Sequence, residues 1–127
     1  GLYFSWIVPR TPSTARHAVA LAAVAAVRAL ERCGAPRCRV KFPNDILYNG
    51  RKIAGILIES TGDRLIFGVG INVNNPAPRG IGVSVRDVAG RTVDRASCWR
   101  RSPPNSAPCW TACRGRRRIS CGNGRRS

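Results

Sequence analysis

The dipeptide Asn49-Gly50 constrains this chain more than any other pair in it. It lies between Ile46-Leu47-Tyr48 and the run Arg51 to Ile58. Asn-Gly between two apolar runs specifies a tight β-hairpin, because both turn residues need positive φ and these two tolerate it. The neighbouring elements can be read outward from that hairpin. Leu2 to Val8 (LYFSWIV) is aromatic and β-branched and ends at Pro9, which reads as a strand. Ser13 or Thr14 is expected to cap a helix that runs to about Cys33, with Gly34 as its stop. Ala18 to Val27 is apolar on all sides, so the helix is expected to pack close against a sheet. Arg39 to Phe42 makes a short strand broken by Pro43, Thr61-Gly62-Asp63 makes a turn, and Leu65 to Val73 makes a further strand. Strand, helix, strand, hairpin, strand predicts an α+β fold, a mixed β-sheet with the Ala-rich helix on one face.

Three glycines interrupt these strands: Gly55 in one, Gly68 and Gly70 in the next. A strand glycine costs roughly 0.5–1 kcal/mol relative to alanine, so each needs a reason. Such positions mark a bulge, close packing, or a ligand lying against bare backbone. Gly68 and Gly70 are two apart and share a face of their strand. Packing against the Ala-rich helix would explain any one of them. All three beside Lys52 favour a ligand. Lys52 follows the hairpin turn directly; it is either an exposed charge or an ammonium reaching an anion over the glycines. Lys41 can supply a second cation. Asn44 and Asp45 are either an ordinary turn pair or groups that orient a ribose, a phosphate or a magnesium ion. Asn72 and Asn74 end the glycine strand, where an amide can meet phosphate. His17, the one histidine, reads as a partly exposed helix residue.

The net charge of +16 suggests an anionic partner. Its placement weakens that suggestion. Residues 1–95 carry 14 basic and 6 acidic groups, whereas residues 96–127 carry 8 arginines and no acid. No apolar run approaches the roughly 18 residues a membrane span requires. There is no methionine, so Gly1 is expected to lie inside a longer protein.

Lys41-Phe-Pro-Asn-Asp45, then Gly50-Arg-Lys-Ile-Ala-Gly-Ile-Leu-Ile-Glu59, then Gly68-Val-Gly-Ile-Asn-Val-Asn74 together resemble the catalytic domain of biotin protein ligases. The resemblance reaches back to Leu2-Tyr-Phe-Ser5 and forward to about Arg95. It implies a cytoplasmic enzyme that joins biotin to ATP, with magnesium, as biotinyl-adenylate. The biotinyl group then passes to a lysine of a biotin carboxyl carrier protein. Carried over by position, Lys52 contacts biotin and the reacting phosphate, and Gly55, Gly68 and Gly70 line the biotin site. Lys41, Asn44 and Asn72 lie on the adenylate side. Asp45 is an acid near the reacting centre, either orienting ligand or meeting magnesium. A lipoate-type ligase is the nearest rival, and a basic nucleic-acid-binding module is the rival from another class.

The departures are a missing Gly/Arg-rich loop before Gly1, Phe42 where the family often has Trp, and no later helix or small β domain. They imply a partial domain over 1–95 with little ligase activity of its own. Residues 96–127 are expected to be an unstructured Arg/Cys-rich tail. A zinc site from Cys98, Cys109, Cys113 and Cys121 has poor spacing. An arginine arm for nucleic acid is a second reading. A shifted reading frame is the favoured one. Cysteine is TGY and tryptophan TGG, so Cys98-Trp99 and Cys109-Trp110 read one base early end in leucine. With GC-rich codons, the neighbouring frame from Cys98 reads approximately Leu-Leu-Ala-Ala-Leu-Ala-Ala-Glu-Leu, an amphipathic helix of the kind the family places there. Cys33 and Cys38 are expected to remain thiols.

Overall fold

A computed structural model describes residues 1–96, 98, 110–114 and 117–119. The first strand, β1, spans Leu2–Pro9 and is followed by helix α1, Pro12–Arg32. Strands β2 (Arg39–Lys41), β3 (Asp45–Tyr48), β4 (Arg51–Thr61) and β5 (Arg64–Ile71) come next, then a short helix α2, Val85–Ala89. Two further strands, β6 (Trp110–Arg114) and β7 (Arg117–Ile119), complete the sheet in the order β2-β3-β4-β5-β1-β6-β7.

The hairpin forms as its sequence requires. Asn49 and Gly50 both have positive φ, 48° and 78°, and join β3 to β4. Every ladder among the described residues is antiparallel. The parallel component expected of a mixed sheet is a single bridge between Lys52 and Gly82. Short turns join β3, β4 and β5, and short turns favour antiparallel neighbours.

Helix α1 starts earlier than its sequence suggests. Its cap is Thr11, whose hydroxyl accepts from the Thr14 N–H while the Thr14 hydroxyl accepts from the Thr11 N–H. Pro12 fits the first helical position because its missing N–H is not needed there. Gly34, at φ 101°, ends it. Ala18, Ala22, Ala23 and Ala26 form the buried side, and their small size lets the helix approach the sheet. Beneath it lie Phe67, Ile46 and Ile71, and with Leu30 of the helix itself all are essentially fully buried. Trp6 stacks at a tilt on Phe67, ring centroids 5.0 Å apart.

One expectation needs correction. Cys33 is not a free thiol: it forms a disulfide with Cys98, tying the end of α1 to the segment after α2. Both sit at one buried corner of the core, which a reading of spacing along the chain does not reveal. Cys38 is a free thiol, pushed up by burial and then by the Glu31 carboxylate. Within the described residues, 110–114 and 117–119 form β6 and β7 beside β1. β1 would otherwise present a row of unpaired backbone groups, and such an edge accepts any extended segment. The rest of 96–127, including Cys109 and Cys121, lies outside the described residues. Among the described residues no helix is long and apolar enough to cross a membrane, and no three His, Cys, Asp or Glu side chains form a metal-binding group.

Candidate functional site

The face of the sheet turned away from α1 carries the candidate site, and strand register builds it. Asp45 on β3 faces Gly55 on β4, Gly55 faces Gly70 on β5, and Gly70 faces Tyr3 on β1. Lys41 on β2 faces Asp45 from the other side. Directly opposed residues project to the same face. One row thus runs Lys41, Asp45, Gly55, Gly70, Tyr3, about 19 Å across five strands at ~4.8 Å each. The adjoining row is Leu57, Gly68, Ser5. The glycines form a bare floor with a carboxylate and a cation at one end and an aromatic ring at the other.

Lys52 should not be on this face. It precedes Gly55 by three residues, and odd spacing along a regular strand places side chains on opposite faces. A register shift reverses this. Ile46 pairs with Ala54 but Leu47 pairs with Lys52, which leaves Ile53 as an extra residue on β4. Such a bulge turns the following side chains over. The Lys52 side chain consequently lies across Gly55, with Cε 3.3 Å and Nζ 3.4 Å from the position a Cβ would take there. Alanine at 55 would push the ammonium aside. The Lys52 backbone is held as well: its N–H donates to Ile81 O at 2.8 Å, and its carbonyl accepts from the Val83 N–H at 3.0 Å.

The ammonium is paired with a carboxylate. Lys52 Nζ lies 2.6 Å from Asp45 Oδ1, with the Asp45 side chain 25% exposed and that of Lys52 52% exposed. The pair holds the cation over the floor while leaving half of it open to an anion. A cleft of about 440 Å³ lies here, lined by Tyr3, Ser5, Asn44, Leu57, the Lys52–Asp45 pair and the three glycines. A second cleft of about 230 Å³ shares Tyr3, Lys52, Gly55 and Gly70 with the first and adds Ala54 and Asn72. Lys52 stands where the two meet.

The structure brings together seven of the eight expected site residues: Lys52, Asp45, Gly55, Gly68, Gly70, Asn44 and Asn72 each line a cleft. Lys41 lines neither, although it faces the same side. Asn44 borders the larger cleft, and its carbonyl also accepts from the Ile56 N–H at 2.7 Å. Asn72 borders the smaller one, its carboxamide donating to Val83 O at 3.4 Å and accepting from Asn75 at 3.1 Å. Asn74 is engaged elsewhere, exchanging two hydrogen bonds with the Val93 backbone. Sequence reasoning assigned no role to Tyr3, Ser5 or Leu57. Alternation along β1 puts Tyr3 and Ser5 on one face, but only the register sets them beside Gly70 and Gly68. The glycines do not serve the helix: a Cβ at Gly70 would meet the Tyr3 ring at 3.1 Å and one at Gly68 would meet Leu57.

Residues 1–75 match the family model of the biotin/lipoate A/B protein ligase family. The chain belongs to that family. It is 41% identical over 87 residues to the bifunctional ligase/repressor BirA of Bacillus subtilis, a match covering 60% of this chain and 27% of that protein. It is 33% identical over 111 residues to the biotin–[acetyl-CoA-carboxylase] ligase of Paracoccus denitrificans, covering 74% of this chain and 46% of that one. Among solved structures, it resembles the biotin protein ligase of Aquifex aeolicus in complex with biotin and ATP, with a TM-score of 0.64, 28% identity, and coverage of 76% of this chain and 44% of the other. The Leishmania major biotin protein ligase in complex with biotin gives a TM-score of 0.65 at 26% identity, covering 77% and 50%. The chain thus spans between 27% and 50% of these relatives. What this family member shares with the two solved structures is the fold of its sheet and helix.

Proposed function

We propose that this chain supplies the sheet side of the active site of an ATP-dependent biotin protein ligase. Biotin's carboxylate oxygen attacks the α-phosphorus of ATP, the bond to the bridging oxygen breaks, and pyrophosphate leaves with the electron pair. The resulting biotinyl-adenylate is then attacked at its carbonyl by a lysine amine of a biotin carboxyl carrier protein, and AMP leaves. The observation that carries this reading is the Lys52–Asp45 pair above a glycine floor, at the junction of two clefts.

The chemistry follows from the parts. Gly55, Gly68 and Gly70 let a flat ligand lie against backbone, with Tyr3, Ser5 and Leu57 as walls, which suits biotin. Its carboxylate then meets Lys52, whose ammonium offsets the charge that builds as the oxygen approaches a phosphate. Asp45 keeps the ammonium aimed. Asn72 in the smaller cleft, and Asn44 at the border of the larger one, face the nucleoside and phosphate. ATP enters with its magnesium as a substrate. Asp45 is the one carboxylate lining either cleft and it is held by Lys52, so the ion is carried mainly by phosphate oxygens. The setting is the cytoplasm, where ATP and carrier are found. Biotin is favoured over lipoate because the relatives' own names specify biotin.

The cleft is open: Tyr3 is 61% and Leu57 60% exposed among the described residues. An adenylate held this loosely meets water, so little turnover is expected from this polypeptide alone. Brisk biotin-dependent exchange of pyrophosphate into ATP would overturn that expectation. Calorimetry tests the site itself. Biotin should bind the chain and lipoate should not displace it, and Lys52→Ala should weaken a non-hydrolysable biotinyl-adenylate analogue on the order of 10²-fold. Unchanged binding by Lys52→Ala, or preference for lipoate, would sink the reading.

A further inference from the structure

Asn72, Asn74 and Asn75 follow β5, and they are bonded differently. Asn74 uses both ends of its carboxamide on the Val93 backbone, donating at 2.8 Å and accepting at 3.0 Å. Asn75 does not pair this way. Its Nδ2 donates to Asn72 Oδ1 at 3.1 Å and to Pro76 O at 3.5 Å, while its own Oδ1 is buried with no hydrogen-bond partner among the described residues. A buried acceptor left unpaired costs stability. A residue selected for the fold alone would not carry that cost, since an apolar side chain avoids it. The amide orientations follow from what a carbonyl can do. Val83 O only accepts, so the end of Asn72 that faces it at 3.4 Å is Nδ2. Asn72 Oδ1 is therefore turned to Asn75. Turned over, Asn75 would set its own oxygen against those of Asn72 and Pro76. The order runs one way: Asn75 donates to Asn72, and Asn72 donates to Val83.

We infer that Asn75 is a positioning residue that makes Asn72 a hydrogen-bond donor to the nucleotide. The inference rests on the proposed adenylation. Asn72 lines the smaller cleft, whereas Asn75 lines neither cleft, so Asn75 acts through Asn72. The Asn72 main chain is already held, its N–H donating to Ile53 O at 2.9 Å and its carbonyl accepting from the Val85 N–H at 2.8 Å. What remains to be set is the turn of its side chain, and Asn75 sets it. With its oxygen turned to Asn75 and one N–H given to Val83, the Asn72 carboxamide has one N–H left. That N–H serves an acceptor on the nucleotide, a ring nitrogen or a phosphate oxygen. The bond to Val83 is long and holds the amide weakly by itself. Without Asn75 the amide is free to rotate and present its oxygen, which repels the same acceptors.

The test compares biotin with a non-hydrolysable biotinyl-adenylate analogue, because tighter binding of the analogue reports the nucleotide half of the site. Calorimetry on the full chain should show Asn75→Leu, similar in shape but without a donor, losing about fivefold of that preference, the scale of one hydrogen bond. Biotin affinity should stay unchanged. In the Asn72→Ala background the same substitution should change nothing further, because the group it positions is gone. The melting temperature of Asn75→Leu should match or exceed the parent's, since an unpaired buried oxygen is removed. Asn75→Ala gives the same comparison if leucine packs badly. The inference fails if both Asn75 variants keep the full preference, if the loss is as large without Asn72 as with it, or if biotin affinity falls as far as that of the analogue. It fails equally if both variants melt well below the parent, or if a chain that binds biotin shows no preference for the analogue. A chain that binds no biotin sinks the ligase reading, and this inference with it.

Discussion

The two faces of strand β5 are built by opposite rules. On the side toward α1, Leu65, Phe67, Val69 and Ile71 are all buried. On the other side, residues 68 and 70 have no side chain at all. The first face serves stability, because large apolar groups leave water and interlock with helix alanines. The second face contributes little to stability, since a glycine brings neither burial nor a favourable strand conformation. Its value lies in what it leaves open. On the proposed reading, a single strand therefore separates folding from ligand binding by the parity of residue number, and adjacent substitutions should have unlike consequences.

The largest expected effect is on the covered face. Phe67 is 1% exposed, and Phe67→Ala should destabilise the chain by about 3–5 kcal/mol, the range for large buried aromatics. Urea unfolding followed by fluorescence would measure it. A loss below ~1 kcal/mol would mean that this face is not a packed core. One residue on, Gly68→Val should behave in reverse. An added Cβ meets the Leu57 side chain at 3.7 Å, ordinary contact, so the chain should fold as before or with slightly greater stability. The valine occupies the cleft floor, and biotin affinity should fall by more than about 30-fold, some 2 kcal/mol. If Gly68→Val unfolds the protein while binding survives in the folded fraction, the division between the faces is wrong.

The fold was largely legible because local rules and the hydrophobic pattern agree. Asn49-Gly50 admits almost one conformation, and its two strands could be placed from it. Gly34 stops α1 for the same steric reason. The helix start was placed two or three residues late because Ser13 and Thr14 are both acceptable caps; Pro12 and the Thr11–Thr14 exchange decide for Thr11. The site was legible as a set of residues but not as an arrangement. Nothing in Gly50-Arg-Lys-Ile-Ala-Gly55 announces the extra residue at Ile53, yet without it Lys52 would point into the core. Register is a long-range property, so Tyr3 and Ser5 could not be placed beside Gly70 and Gly68 from their spacing. Nor could Cys33 and Cys98, separated by 65 positions, be paired.

The smallest expected effect tests what holds the open face in shape. Lys52's backbone is bonded to Ile81 and Val83, and that segment leads straight into α2. Ser84 caps α2: its hydroxyl accepts from the Asp87 N–H and lies 2.6 Å from the Asp87 carboxylate, which also accepts from the Ser84 N–H at 3.1 Å. The side-chain hydrogen bond from Ser84, then its backbone N–H, holds the Asp87 carboxyl below the usual aspartate range. A group whose folded pKa is depressed contributes stability above its unfolded pKa and loses it as pH falls through the folded value. Ser84→Ala should therefore cost about 1 kcal/mol at neutral pH, the scale of a lost N-cap. The difference from the parent should narrow on acidification, once pH drops through the ordinary aspartate range to the folded pKa of Asp87. Denaturation midpoints across an acid-to-neutral series would show it. If the gap between the two chains stays constant down to the lowest pH, the Asp87 carboxylate is not part of the cap. If the gap narrows as expected, biotin binding by Ser84→Ala reports how far the aim of Lys52 depends on this anchor.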